Sequence, residues 1–389
     1  MLCNTKECCG CSACTQICPK NCIKMQTNIE GFLEPVIDKG LCVDCGACEQ
    51  VCPVLNAFEK ENNEKTIAYA AICKEKNGLI RKNSSSGGLF WCFSQWVFQN
   101  NGVVVGVALT KDSLKAQHIV ATSEEELQTL MGSKYLQSEK GNIFSVVKKF
   151  LQEERMVLFV GTPCEVAGLL KYIPLRLQER LYTVDLICHG VPSPKVWDKY
   201  VKERKWCANK ISFRDKTHGW KNFSLRSTGV NNDIVEKCGE NLYMRGFLDH
   251  LYLRESCHDC KFKGVIRISD ITLGDFWKIE EFVDEFNDDK GASLVFLHSR
   301  NGKELFSIIY NAFNVEFKSV DVIAAAESNP MTLYSSYRNN KRSKFFNNLE
   351  KMCVEKNVYK LTKRSFFHRI MSKIKRCFLK TKRGKRYEC

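Results

Sequence analysis

No apolar run in the 389 residues approaches the ~18 that a membrane span requires, and the longest candidates, such as residues 103–109, have the length of buried strands. The opening Met1-Leu2-Cys3-Asn4-Thr5-Lys6-Glu7 lacks the apolar core of a secretory signal. These absences disfavour membrane-spanning and secreted classes, so a cytoplasmic location is expected. Disorder is excluded as well, because 44% of the residues are hydrophobic and 11% aromatic, enough for packed cores. At the usual ~150 residues per domain, the length suggests two or three domains. Acidic residues are nearly missing from one place only: residues 360–389 hold twelve Lys or Arg against the single acid Glu388. Most of the net charge of +15 therefore belongs to a tail and not to the body.

Cysteine is what the chain has in excess, with 22 in all and eleven within the first 52 residues. In a chain with no export signal, such clustering indicates metal or iron–sulfur ligation before disulfides. Cys8, Cys11, Cys14 and Cys18 are spaced C-x2-C-x2-C-x3-C and followed by Pro19. Cys42, Cys45, Cys48 and Cys52 repeat the pattern 34 residues later, followed by Pro53. A duplicated unit with approximate two-fold symmetry is implied. In two-cluster bacterial ferredoxins the fourth cysteine of each run crosses to the other cluster. The expected 4Fe-4S ligand sets are thus Cys8, Cys11, Cys14 with Cys52, and Cys42, Cys45, Cys48 with Cys18. Zinc is the alternative, but its motifs pair two C-x2-C units across a spacer. Residues 31–37 read as a short strand pair, and Cys3, Cys9 and Cys22 as packing or incidental thiols.

A polar linker is expected at 56–65, and beyond it strands and helices alternate. Strands are expected at 66–73, 103–109, 119–121, 156–160 and 182–187. Helices are expected at 87–100, 123–131, 141–152, from Cys164 onward, and at 195–206. This is the pattern of an α/β domain with at least partly parallel pairing. Residues 211–235 read as antiparallel strands.

Three stretches of the body look chemical. Asn83-Ser84-Ser85-Ser86-Gly87-Gly88 precedes an amphipathic helix, where small residues let backbone amides approach a phosphate; an ordinary Ser N-cap explains it equally well. It lacks the Lys-Ser/Thr ending of a Walker loop. Cys164 and Cys188 each follow a strand, so parallel pairing would bring both to the carboxyl edge of the sheet. Cys257 and Cys260 form a C-x2-C pair. Together these four thiols make a candidate third 4Fe-4S site, with structural zinc, inert buried thiols or a nucleophilic Cys164 as alternatives.

Taken in order, residues 83–88 with Phe90, 132–138, 160–164, 185–194, 211–215 and 257–277 resemble the beta subunit family of coenzyme F420-reducing hydrogenases and dehydrogenases. The resemblance runs from about residue 66 to 310, behind the two-cluster ferredoxin-type segment. It implies that Cys164, Cys188, Cys257 and Cys260 ligate a cluster beside an FAD. It also implies that Asn83, Ser84, Ser85, Ser86, Gly87, Gly88, Lys134 and Tyr135 lie at the flavin. His189, next to Cys188, is a weak candidate proton donor. Its substrate stays unassigned, since related proteins act on different substrates.

The expected fold is an α+β ferredoxin-like module at 1–56 followed by an α/β mixed-sheet flavin/iron–sulfur domain at 66–312. A helical C-terminal extension is expected at 313–389. The expected function is an iron–sulfur flavoprotein oxidoreductase coupling a one-electron carrier, a redox protein or ferredoxin, to a two-electron organic substrate or deazaflavin-like coenzyme. The alternatives are a non-catalytic electron-transfer subunit and a cysteine-rich zinc-binding structural protein. In the tail, Phe366, Ile370, Ile374 and Phe378 recur every four residues among Lys and Arg, as in a basic amphipathic helix. Such a helix suits an anionic membrane surface, and the alternative is a helix docked on the body. Nucleic acid is disfavoured, because the aromatics share one helical face. Deletion of residues 360–389 is expected to abolish co-sedimentation with anionic liposomes; unchanged co-sedimentation removes the membrane reading.

Overall fold

The computed structural model describes residues 2–58, 65–74, 78–207, 209–230 and 232–363. The amphipathic pattern beginning at Phe366 lies outside the described residues. The strands are β1 (Ile23–Thr27), β2 (Leu33–Ile37), β3 (Ile67–Cys73), β4 (Val103–Leu109), β5 (Ala116–Ala121), β6 (Ser138–Glu139) and β7 (Val157–Gly161). They continue with β8 (Leu181–Leu186), β9 (Lys210–Asp215), β10 (Ser224–Thr228), β11 (Asp233–Lys237), β12 (Ile271–Asp275), β13 (Ser293–Leu297) and β14 (Val315–Val320).

Nine strands form one mixed sheet in the order β14-β3-β13-β12-β8-β7-β4-β5-β6. Its centre, β12, β8, β7 and β4, is parallel, while β13, β3, β14 and β5 pair antiparallel around it. The central strands are continuous apolar runs because both faces are covered, as parallel sheets require. Val104 and Leu158 face the helices Leu89–Gln99 and Arg300–Ala312, through Phe93, Val97 and Phe306. Their neighbours Val103, Val105, Val157 and Phe159 face the opposite side and the helices Ile143–Gln152 and Pro163–Tyr172. The two-residue period of a strand produces this division. A separate three-stranded antiparallel sheet, β11-β10-β9, packs through Phe213 and Leu225 against the helices Pro194–Glu203, Leu242–Leu248 and Val354–Thr362.

The expected elements of the body are present with ends shifted by a few residues, and two expectations need correction. Residues 33–37 are one strand, not a pair; the antiparallel partner is β1, upstream, in register Ile23↔Ile37. Residues 313–389 do not begin a wholly helical extension, because β14 completes the large sheet against β3. Phe317 packs there on Tyr69, Phe306 and Tyr310, a contact made by residues far apart in the chain.

The 34-residue repeat is carried by the backbone. Gly10 and Asp44 adopt φ of 70° and 48°, and Ser12 and Gly46 adopt 66° and 74°. Each left-handed pair turns the chain into a short helix, Ala13–Ile17 and Ala47–Gln50. Only Gly takes this conformation freely, so Ser12 and Asp44 are held in it by the surrounding fold.

The N-terminal segment is built into the body. Cys11, Ala13 and Val51 share a core with Phe144, Val166 and Leu169. Glu30, in the β1–β2 turn, makes a two-pronged ion pair with Arg342, whose Nη1 lies 2.7 Å from Oε1. Arg342 also donates to the Leu253 carbonyl from Nε and Nη2, at 3.1 and 2.9 Å. Arg342→Ala removes all of these bonds and leaves Glu30 unpaired. It is expected to cost about 2 kcal/mol of stability, read as a lowered denaturant midpoint.

Candidate iron–sulfur sites

Two cavities lined by cysteine stand out. The first is bordered by Cys8, Cys11, Cys14 and Cys52, with Cys3, Cys9 and Cys48 and the apolar side chains of Leu2, Met25, Pro35 and Val54. It brings Cys8, Cys11, Cys14 and Cys52 to one cavity together with Cys48, which the crossed expectation assigns to the other set. Cys18 lies 3.3 Å from Cys22, sulfur to sulfur, and Cys22 also contacts Cys42. Cys45 is exposed.

The second cavity is bordered by Cys164, Cys188, Cys257 and Cys260, together with Pro163, His189, Gly190, Val191, Phe262 and Lys263. Its geometry follows from the strand pairing. β7 and β8 are adjacent and parallel, with Gly161 opposite Asp185, so the residues beyond them emerge side by side. Cys164 stands in the first turn of the helix Pro163–Tyr172, which Thr162 opens with a capping box to Glu165. Cys257 lies in a one-turn segment, Glu255–Asp259, whose approach is fixed by Arg254 N bonding the Val191 carbonyl at 2.8 Å. The Val191 amide in turn points at the Cys257 sulfur at 3.4 Å.

The donor chemistry of the inner set fits thiolate ligands around the cationic core of a cluster. Burial pushes the Cys188 thiol up to about 12, and the neighbouring Cys164 and Cys260 add to the rise while Lys263 opposes it. Burial likewise pushes Cys257 up, reinforced by Cys188. Four crowded, desolvated thiols resist ionisation until a cation compensates them, and metal coordination does so outright. Among the described residues, no group of three or more His, Cys, Asp or Glu closes on one point as the ligands of a single ion do.

Cys3, Cys9 and Cys22, which the sequence presents as incidental, all touch candidate ligands. Cys3 contacts Cys8 and Cys52. Cys9 contacts Cys11 on one side and Cys164 on the other, so one thiol touches both candidate sets. Nothing in the spacing of Cys9 signals its second contact, because Cys164 lies more than 150 residues away in the chain.

His189 borders the second cavity, as expected, but its position limits it as an acid. The Nδ1 of His250 lies 3.0 Å from the Tyr337 carbonyl, which only accepts, so that nitrogen carries the proton. The Nε2 of His250 then accepts from the Nε2–H of His189 at 2.8 Å. Burial, with His250 and Lys263 nearby, pushes His189 down to about 3. The neutral ring therefore has its only N–H engaged with His250 and none left for the cavity.

The serine–glycine stretch lies elsewhere in the fold. Asn83 ends the helix Leu79–Asn83, and no serine caps the helix Leu89–Gln99; Gly88 stands at its N-cap with φ 93°. The Ser N-cap reading is thereby corrected. Gly87 is needed for packing, since a Cβ there would lie 2.5 Å from the Ala71 carbonyl oxygen and 2.8 Å from the Ser293 amide. The Ser85 hydroxyl is 2.9 Å from that of Ser133. The Ser85 carbonyl accepts from Arg214 at 3.0 Å and Trp220 at 3.1 Å. Arg214 also reaches the Tyr135 hydroxyl at 3.3 Å and pairs with Asp275 at 2.7 Å, between the rings of Phe223 and Trp277. Ser85 and Tyr135 are thus brought together, through an arginine to which sequence reasoning gave no role. Lys134 turns away and donates to the carbonyls of Thr129 and Met131, both at 2.8 Å.

Thiol-lined cavities of this kind, on a mixed α/β sheet, define an iron–sulfur redox protein. Residues 7–56 match the family model for the 4Fe-4S dicluster domain. Residues 154–322 match the model for the C terminus of the coenzyme F420 hydrogenase/dehydrogenase beta subunit. The two matches follow each other along the chain, a 4Fe-4S dicluster domain and then the C terminus of that beta subunit. An uncharacterized protein of Methanocaldococcus jannaschii is 24% identical over 367 residues, covering 82% of this chain and 92% of that one. A chain from the xenon-derivatized F420-reducing NiFe hydrogenase complex of Methanosarcina barkeri is 18% identical with a TM-score of 0.46, over 68% of this chain and 89% of that one. No helix among the described residues is long and apolar enough to cross a membrane.

Gly168, in the helix that starts beside Cys164, lets that helix approach the first cavity: a Cβ there would lie 2.8 Å from the Cys11 Cβ and 2.9 Å from its sulfur. Gly168→Ala is expected to displace the Cys11 loop and lower iron content after anaerobic reconstitution. Gly239→Ala, at a position with open space, is expected to leave iron content unchanged.

Proposed function

We propose that the chain is an iron–sulfur flavoprotein oxidoreductase that couples a one-electron protein carrier to a two-electron organic substrate or deazaflavin-like coenzyme. Three cysteine sets would hold 4Fe-4S clusters: Cys18, Cys42, Cys45 and Cys48; Cys8, Cys11, Cys14 and Cys52; and Cys164, Cys188, Cys257 and Cys260. Such clusters supply single-electron steps, and a bound flavin supplies the exchange between one- and two-electron chemistry. The observation that carries the reading is the packing of the helix that begins beside Cys164 against the Cys11 loop, where a Cβ on Gly168 would lie 2.8 Å from the Cys11 Cβ, so that the N-terminal and inner thiol sets are neighbours. The exposed Cys45 makes its set the natural point of exchange with a carrier protein.

The chain's own residues do the positioning. Parallel pairing of β7 and β8 holds Cys164 and Cys188 at one edge. Lys263 donates to the Cys188 and Met331 carbonyls, at 2.5 and 2.6 Å, and so brings a cation to the inner set. A flavin would be held around Ser85, Ser133, Tyr135 and Arg214. The uncapped start of the helix Leu89–Gln99 offers amides and a favourable dipole for its phosphates.

A second reading, a non-catalytic electron-transfer subunit on a partner enzyme, is favoured by one observation. Residues 85–87 are bonded to Ser133, Ala292 and Ser293 of the protein itself. The zinc alternative for the N-terminal cysteines is answered in favour of iron–sulfur clusters by the dicluster match.

Iron, sulfide and released flavin measured on one anaerobic preparation separate the readings. About twelve irons and one FAD per chain are expected, falling to about eight irons in the double variant Cys164→Ser/Cys257→Ser. About twelve irons without flavin would favour the electron-transfer subunit. About eight irons in the wild type would remove the inner cluster from the proposal.

A further inference from the structure

We propose that Arg254 is a positioning residue whose permanent positive charge makes the first N-terminal cysteine set, Cys8, Cys11, Cys14 and Cys52, easier to reduce. This inference deepens the electron-transfer reading above and rests on it.

Arg254 is 2% exposed and lies where the N-terminal segment meets the inner site. Its Nε donates to the Cys8 carbonyl at 2.7 Å and its Nη1 to the Leu33 carbonyl at 3.0 Å. The guanidinium carbon sits 5.5 Å from the centre of the Phe32 ring. The remaining nitrogen, Nη2, is buried without a hydrogen-bond partner. Among the described residues no carboxylate pairs with this guanidinium. Its own backbone joins the inner site, because the Cys257 amide bonds the Arg254 carbonyl at 3.0 Å.

An arginine stays charged in a protein, and a buried charge without a counter-ion is costly. Arg342 shows how the fold meets that cost elsewhere, with Glu30 as its partner. Arg254 has carbonyl dipoles and a ring but no acid, so an anion must stand nearby in the working protein. Four thiolates leave a 4Fe-4S cluster net anionic, and Cys8 is the candidate ligand whose backbone Arg254 grips. The field of the guanidinium favours the form of the neighbouring group that carries one more electron, because added negative charge gains more from a fixed cation in a low-dielectric setting. No bond is made or broken and no proton is needed; one electron gained by the set is one electron passed on.

The test uses the full chain, reconstituted anaerobically as wild type, Arg254→Gln and Arg254→Lys. Iron and sulfide content comes first: a wild type that holds no 4Fe-4S cluster overturns the electron-transfer reading before Arg254 is considered. Potentiometric titration followed by electron paramagnetic resonance then reads the proposal. Arg254→Gln keeps a donor for the Cys8 carbonyl and removes the charge. With iron unchanged, it is expected to lower the reduction equilibrium of one N-terminal cluster on the order of tenfold, about 59 mV for a one-electron couple. Arg254→Lys is expected to keep most of the wild-type potential. Unchanged potentials in Arg254→Gln, or an equal fall in Arg254→Lys, overturn the proposal, the second by assigning the effect to the lost hydrogen bonds. Should Arg254→Gln lose iron, the apolar Arg254→Met is titrated against Arg254→Lys with the same two outcomes.

Discussion

The parallel pairing of Val157–Gly161 with Leu181–Leu186 is the constraint on which the site depends. It sets two chain ends side by side at the carboxyl edge of the sheet, and each end carries a cysteine within three residues. Reversing either strand would send Cys164 and Cys188 to opposite edges. The helix Pro163–Tyr172 then runs back from Cys164, and its small residue Gly168 lets the N-terminal loop lie against it. Cys9 touches Cys164 because that helix and that loop are so close. The inner site and the dicluster segment are therefore joined by backbone packing and not by a tether.

Charge placement follows the same logic. The four thiols of the inner set are pushed up, Cys164 by Cys9 and burial and the other three by burial, and resist ionisation, so that set calls for positive charge from a cluster and from nearby cations. Lys263 provides it from the body, and Arg254 brings it to the N-terminal set, both by gripping backbone carbonyls of cysteines, those of Cys188 and Cys8. Arg342 and Glu30, by contrast, neutralise each other and serve attachment. A buried guanidinium with an acid partner and one without are thus used for different ends in the same protein.

The region around Ser85 has another character. Arg214 bonds Asp275, the Tyr135 hydroxyl and the Ser85 carbonyl, and Ser133 bonds the Ser85 hydroxyl. The Nε of Arg214 is left buried without a hydrogen-bond partner.

The spacing of the N-terminal cysteines is enough to raise the crossed sets as an expectation, because ligand geometry at short range depends only on how far a few residues reach. Apolar runs and helix signals likewise make the alternation of the body legible, since local period and local propensity are properties of neighbours in the chain. Contacts between distant segments are another matter. The strand β14 falls in a stretch that reads as helical, because its partner β3 lies more than 200 residues away and only that pairing makes it a strand. Cys9 looks incidental in the sequence because its second neighbour, Cys164, comes from another part of the fold. The roles of Arg214 and Arg254 are equally hidden, since an arginine's meaning depends on which acids, carbonyls and thiols surround it, and those are chosen by tertiary packing alone.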